Sequence, residues 1–324
     1  MRTALILNPA SGVSNMSATD GTAEEHEQAI LAALRRYDIE PKVYHTTPED
    51  AGQGLAARAA REGAELVIAA GGDGTIHAVA SGLIGTQSTL GIIAIGTMNN
   101  LAHSLSIPQT IEGACEVIAH GVTRTIDVGV INEHPFLEVA GIGLEAALFP
   151  AAEEIKSPGL RSTIQGIIAG LRTLFSFKPA TLRISLDGRQ KRPYKALEVT
   201  ICNSPYYGAH FEVAPGTLMD DGLLDVVIYR NFSKLEYLQN VLAISLGRHP
   251  FERKMIHRRV KSMRVEARHP VEIQVDGSPQ GYTPATVHVL PGALHVRVAS
   301  EHAPGLSSAQ AAPAKNQQAQ TQHV

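Results

Sequence analysis

Apolar residues gather into short unbroken runs along the first third of the chain. Residues 4–7 (ALIL), 65–70 (ELVIAA) and 90–95 (LGIIAI) read as buried strands, with a shorter strand at 41–45. Between them, residues 24–37 place Ile30, Leu31 and Leu34 at helical spacing, and residues 51–62 form an alanine-rich stretch of similar character. Another helical pattern runs through Leu83. Continuously apolar strands that alternate with helices predict a parallel sheet covered on both faces.

The texture changes after about Asp127. Helical segments are predicted at 144–154 and 163–175, followed by alternating runs at 181–186, 196–202, 224–229, 271–275 and 286–290. Asp187-Gly188, Asp276-Gly277 and Pro291-Gly292 are hairpin signals. The fold class expected is therefore α/β: an N-terminal parallel-sheet domain followed by an antiparallel β-rich domain. The boundaries are 1–127 and 128–302, with the last strand free to return to the first domain. Residues 303–324 lack core residues and are expected to be disordered.

Three predicted strands run into turns of glycine and small polar residues. These are Asn8-Pro9-Ala10-Ser11-Gly12, Gly71-Gly72-Asp73-Gly74-Thr75 and Gly96-Thr97-Met98-Asn99-Asn100. A parallel sheet brings such strand ends to one edge, where ligands bind. Glycine lets a ligand approach the backbone, and the free amides opening a helix favour an anion. Asp73 beside a phosphate-sized site suits phosphate together with a metal ion. The plainer alternative is a tight turn capped by Asp73 or Thr75. No Walker P-loop is present, so a nucleotide would be held differently. Gly141-Ile142-Gly143 mimics part of a dinucleotide fingerprint but reads as a domain-junction turn.

Composition narrows the field further. The chain has 324 residues, 44% of them hydrophobic, which is enough for two domains. A net charge of −3 does not point to nucleic acid. Two cysteines, Cys115 and Cys202, are too few for a disulfide framework and read as core residues of a cytoplasmic protein. The opening apolar run is too short for a signal peptide, and none is long enough to span a bilayer. His77 and His103 follow glycine turns but have no Cys or carboxylate at ligand spacing, so neither reads as a metal ligand.

NPASG, GGDGT and GTMNN, in this order, resemble the diacylglycerol kinase catalytic-domain family, which includes bacterial lipid kinases and sphingosine kinases. The resemblance continues through IDVG at Asp127, NSPYYG at Asn203, APGTLMDDGLLD at Asp221 and VDG at Asp276. It implies an ATP- and Mg²⁺-dependent kinase of a diacylglycerol-like or sphingoid-like lipid, with its site between two domains. Asn8, Pro9, Ser11, Gly12, Gly71, Gly72, Asp73, Gly74, Thr75, Thr97 and Asn99 would line the ATP site, with Thr46 a further contact. Asp73 and Asp127 would belong to an acidic network around the phosphates and Mg²⁺. Asp221, with the carbonyls of Leu218 and Leu223, matches a second, structural Mg²⁺ position.

One departure bears on catalysis. The family usually carries Asp-Gly-Glu where this chain has Asp276-Gly277-Ser278, and that Glu is the proposed general base. A serine hydroxyl is far too weak a base for this role, so activity would be slow, or Asp276 would substitute. Two other readings stay open: a weakened nucleotide- or lipid-binding protein, and a kinase of a soluble hydroxyl substrate. The expected partners are a lipid substrate and an anionic membrane surface, touched peripherally, and a homo-oligomer is compatible with the sequence. The basic run Arg253, Lys254, Arg258, Arg259, Lys261, Arg264 and Arg268 would serve the membrane, or is a solvated strand face. Residues 160–177 are amphipathic and would cover an acyl chain or pack on the β domain.

Overall fold

The computed structural model describes residues 1–11, 23–148, 160–207, 211–244, 248 and 252–300. Gly12, the tail expected at 303–324 and residues 149–154 of the helix expected at 144–154 lie outside these residues. Four strands, β1 (Thr3–Leu7), β2 (Lys42–His45), β3 (Leu66–Gly71) and β4 (Thr89–Ala94), pair in parallel in the order β2-β1-β3-β4. Around them run α1 (Ala23–Arg35), α2 (Gln53–Arg61), α3 (Asp73–Leu83), α4 (Asn100–Ser104) and α5 (Ile111–His120). β3 is buried along its whole length, as a central parallel strand should be.

The helices dock through their apolar stripes. α3 buries Ile76, Val79, Ala80 and Leu83, at the three- and four-residue spacing of a helix face. A Cβ at Gly82 would meet the Ala56 side chain at 2.9 Å, so this glycine lets α2 and α3 pack closely. α5, absent from the pattern reading, is capped by Thr110, whose side chain accepts from the Gly113 amide.

The second half contains β5 (Val122–Ile131), β6 (His134–Phe136), β7 (Val139–Gly143), α6 (Leu160–Ser176), β8 (Ala180–Leu186) and β9 (Arg192–Cys202). It continues with β10 (Tyr206–Tyr207), β11 (Phe211–Glu212), β12 (Leu224–Arg230), α7 (Lys234–Ile244), β13 (Met255–Val260) and β14 (Ser262–Ala267). β15 (Glu272–Val275), β16 (Ser278–Tyr282) and β17 (Ala285–Val298) complete it. The described strands of this half pair with one another antiparallel, so the expected combination of parallel and antiparallel pairing is found, within one sheet continuous with β4 through β17. Asp187-Gly188 and Asp276-Gly277 do turn hairpins, with φ of 47° and 70° at the first pair, the left-handed conformations that two-residue hairpin loops need.

Two local expectations fail. Pro291-Gly292 does not turn a hairpin: β17 runs on through it, paired with β5 on both sides of a register shift between Leu290 and Leu294. The extra residues form a bulge because one partner strand lines the whole length. Its final part then lies parallel to β4, with His295 opposite Thr89. Gly141–Gly143 is not a junction turn but the buried end of β7, between β9 and β15. The core of this half includes Phe136, Ile142, Val199, Ile201, Val226 and Val287, all 0% exposed. Fully burying a side chain such as Phe136 contributes about 2–3 kcal/mol.

Candidate active site

The three small-residue turns come together at the carboxyl ends of β1, β3 and β4, and they are tied to each other. Asn8 Nδ2 donates to the Thr75 hydroxyl at 3.0 Å, and the Gly72 amide donates to Ser11 Oγ at 3.4 Å. Asp73 opens α3, and its two oxygens accept from the amides of Asn99 at 3.0 Å and Asn100 at 2.7 Å. Asp73 therefore serves as a clamp between two turns. The clamp requires close backbone approach: a Cβ at Gly96 would stand 2.6 Å from Gly72 Cα. At Gly74 a Cβ would meet nothing within 4 Å, since it would enter the open cleft beside the first turn of α3.

That cleft, about 320 Å³, has a second wall built from the β-rich half, and its lining includes Asp73, His77, Asn100, Glu138, Asp276 and Ser278. Asp276 sits on the β15–β16 turn with φ 41°. Its Oδ2 accepts from the Leu137 amide at 2.8 Å, and its Oδ1 accepts from the amides of Glu138 at 3.0 Å and Val139 at 2.8 Å. His77 Nε2 lies 3.2 Å from Oδ2 and 3.2 Å from the Pro135 carbonyl. Burial works against a charge on His77, but the hydrogen bond and charge of Asp276 outweigh it and raise its pKa above the ordinary imidazole value. With its oxygens engaged in this way, Asp276 holds the wall together. Ser278 is exposed at the cleft.

Glu138 is the functional candidate that sequence reasoning missed. It is 6% exposed. Burial first, then the charges of Asp276 and Asp73, push its pKa well above the ordinary carboxyl value, against a hydrogen bond from Asn100. The signal was present in the sequence: a single carboxylate inside the apolar run Phe136-Leu137-Glu138-Val139-Ala140. A buried carboxylate is informative where an exposed one is not.

Comparison with known proteins agrees with this geometry. Residues 2–131 match the family described as the diacylglycerol kinase catalytic domain, and residues 138–298 match the YegS C-terminal NAD kinase beta sandwich-like domain. An uncharacterised protein of Synechocystis sp. is 30% identical over 308 residues, spanning 90% of this chain and 69% of that protein. The chain belongs to the diacylglycerol kinase family. Within it, a diacylglycerol kinase of Bacillus subtilis is 28% identical over 307 residues, covering 93% of this chain and 98% of that one. A crystal structure of a candidate diacylglycerol kinase from Bacillus anthracis superposes with a TM-score of 0.75 at 25% identity, over 92% of this chain and 97% of that one. An NAD kinase from Archaeoglobus fulgidus, solved with ATP, shares the fold at 13% identity and a TM-score of 0.50, over 92% of this chain and 93% of that one.

Of the site residues implied by the resemblance to diacylglycerol kinases, Asp73, Gly74, Asp276 and Ser278 line the cleft, and the other described ones lie outside its lining. Asp127 is 2% exposed, and its oxygens accept from the amides of Gly222 at 2.7 Å and Gly292 at 2.8 Å. It joins β5 to two loops of the β-rich half and is not among the cleft-lining residues. Asp221 accepts from the Leu223 amide at 3.0 Å and is paired with the Arg259 guanidinium. At the Leu218, Asp221 and Leu223 set, the single carboxylate lies against the Arg259 guanidinium, and its Oδ2 is buried without a hydrogen-bond partner among the described residues. Among the described residues, no group of three or more His, Cys, Asp or Glu side chains is gathered as for a metal. Thr46 follows β2, its amide donating to the Leu7 carbonyl at 3.0 Å, and Thr97 is exposed beside the Gly96 turn. Pro9 is exposed next to Asn8.

The basic run is partly neutralised. Lys254 pairs with Glu236 at 2.6 Å, Arg264 with Glu266 at 3.1 Å, and Arg259 with Asp221. The amphipathic segment α6 buries Leu174 yet exposes Ile167, Ile168, Leu171 and Phe175. His103 packs edge-on against Tyr206 with ring centres 4.9 Å apart. Cys115 and Cys202 are both 0% exposed, and burial with nearby Glu112 pushes the Cys115 thiol up to about 11. No helix among the described residues is long and apolar enough to cross a membrane.

Proposed function

We propose that this protein transfers the γ-phosphoryl group of ATP, with Mg²⁺, to the hydroxyl of a diacylglycerol-like or sphingoid-like lipid. The observation that carries the reading is a cleft with one wall of small-residue turns and helix-opening amides and a facing wall of carboxyl groups. Phosphoryl transfer depends chiefly on positioning and charge stabilisation. The first wall supports positioning: the open first turn of α3 offers amides and a helix dipole to phosphate oxygens. Mg²⁺ bound with the nucleotide would supply neutralisation of phosphate charge. The second wall supports an acceptor hydroxyl, which it approaches from the β-rich half.

Peripheral attachment to an anionic membrane is part of the same proposal. The C-terminal end of α6 meets the start of α7, where Lys234 donates to the Phe175 carbonyl. Both helices carry exposed apolar side chains, among them Phe175 at 61% and Leu235 at 61%. Such a surface, with exposed Arg253, Arg258, Lys261 and Arg268 elsewhere on the β-rich half, supports an interfacial contact in which each cation near the surface contributes about 1 kcal/mol.

A panel of lipid alcohols and soluble alcohols, incubated with γ-labelled ATP and Mg²⁺, tests the reading. Label is expected in an organic-extractable phospholipid. Label confined to water-soluble products would establish the soluble-substrate alternative, and label in nothing would leave only a binding protein.

A further inference from the structure

We infer that Glu138, just before β7, is the group that takes the proton from the acceptor hydroxyl, at a place that faces the same cleft as Ser278. This rests on the kinase reading above and deepens it. The geometry comes from strand register. β7 and β15 are antiparallel, with Val275 opposite Ala140, and the Asp276 amide donates to the Val139 carbonyl at 2.9 Å. Carried on by two residues, that register sets Glu138 across from the turn that bears Ser278. Both residues line the same cleft, together with Asn100 from the nucleotide wall. A carboxylate on the residue before β7 therefore faces the same space as one at position 278.

Glu138 is also held as a base should be. Its own carbonyl accepts from the Asn203 and Ser204 amides at 2.8 and 3.2 Å, and its amide is bound to Asp276. The strand cannot shift without breaking these bonds. The side chain takes a hydrogen bond from Asn100, whose amide is clamped by Asp73. Of the three carboxylates lining the cleft, Asp73 spends both oxygens on two backbone amides and Asp276 spends both on three. Among the described residues, no backbone amide is bound to the Glu138 carboxyl group. The groups that face it are Asp73 and His77 on α3, Asn100 on α4, His134 on β6, and Asp276. Burial and the two neighbouring carboxylates raise its pKa, which brings a carboxylate nearer the range where general-base catalysis is efficient.

The step balances. A bond forms between the acceptor oxygen and the γ-phosphorus while the bond from that phosphorus to the β,γ-bridging oxygen breaks. The electron pair leaves with ADP. The acceptor's hydroxyl proton passes to the Glu138 carboxylate and from there to solvent. Glu138 touches the reacting hydroxyl in this scheme and is thus a catalytic residue.

The test measures kcat, the KM for ATP and pH profiles for wild type, Glu138→Gln, Glu138→Asp and Glu138→Gln combined with Ser278→Glu, on whichever alcohol the wild type phosphorylates. Glu138→Gln is expected to lower kcat by roughly 10²- to 10⁴-fold with the KM for ATP little changed. It should also abolish the rise of kcat with pH that deprotonation of Glu138 produces. Glu138→Asp should keep that pH dependence, and Ser278→Glu should restore at least a tenth of the lost rate by returning a carboxylate to the same space. An active wild type with Glu138→Gln unchanged in kcat overturns the assignment, as does a Glu138→Gln loss that Ser278→Glu cannot relieve. A wild type that phosphorylates no alcohol overturns the kinase reading itself, and the base assignment with it.

Discussion

The two walls of the cleft are built by opposite means. The nucleotide wall is made of backbone: Gly72 and Gly96 pack against each other, Asp73 clamps the amides of Asn99 and Asn100, and Gly74 leaves the first turn of α3 open. The acceptor wall is made of side chains: Asp276 gathers the amides of three successive residues, His77 closes on it, and Glu138 stands beside it. A backbone wall is demanding about glycine and tolerant of chemistry. A side-chain wall is demanding about charge, and under the proposed assignment a carboxylate at Glu138 would serve where Ser278 has none.

The largest effect on this contrast should come from Asp276→Ala. It leaves the amides of Leu137, Glu138 and Val139 without an acceptor, and each unsatisfied buried donor costs about 1–3 kcal/mol. A fall in stability of several kcal/mol by denaturant titration is expected, with activity lost. Asp276→Asn keeps one acceptor oxygen and should lose less. Equal losses would mean that the amides do not depend on this carboxylate.

Gly96→Ala probes the other wall. Its methyl would stand 2.6 Å from Gly72 Cα, and overpacking of this kind costs about 1–3 kcal/mol. Calorimetry should find Mg·ATP bound more weakly by about tenfold or more, a factor of ten corresponding to about 1.4 kcal/mol. Asp73→Ala should weaken the same binding by releasing the Gly96 turn, while Asp127→Asn, at a residue outside the cleft lining, should act on stability alone. If Asp127→Asn removes ATP binding and leaves stability unchanged, Asp127 belongs to the nucleotide wall after all.

The smallest effect is in the pH dependence of stability. Glu138 has a folded pKa raised above 4.5 by burial and like charge. The native state then holds a proton that the unfolded chain has released, so stability falls as pH rises from 4.5 toward the folded value. His77, raised above 6.5, contributes stability that is fully present below 6.5 and is lost as pH climbs through its folded value. Glu138→Gln should consequently raise the melting temperature at pH 8 and change it little at pH 4. The same small change at both pH values would show that Glu138 ionises normally.

How much of this was legible in the sequence follows from the same contrast. The three turns lie next to the strands and helices that shape them, so a local pattern of apolar run, glycine and helix is enough to find them. β1, β3 and β4 fall within a residue of their expected bounds for that reason, and α3 ends at Leu83 as expected but starts inside the predicted turn, at Asp73. The acceptor wall joins segments 138 residues apart, and no local pattern links Glu138 to Asp276. Pro291-Gly292 misleads because the turn chemistry of a hairpin and of a bulge is alike until the partner strand is known. Gly141–Gly143 misleads likewise, since glycines in a strand that tolerate close neighbours look like a loop. Asp127 and Asp221 follow the family motif, yet their partners, Gly222, Gly292 and Arg259, appear only in three dimensions.

The division of labour between the walls is open to one direct measurement: Mg·ATP affinity by titration calorimetry in Gly74→Val and Glu138→Gln, beside the kcat of each. Gly74→Val projects a side chain into open cleft, where nothing else stands within 4 Å, and should lose nucleotide binding while folding normally. Glu138→Gln should bind Mg·ATP as the wild type does and lose turnover. The opposite pattern, with Gly74→Val binding normally and Glu138→Gln failing to bind, would contradict the account.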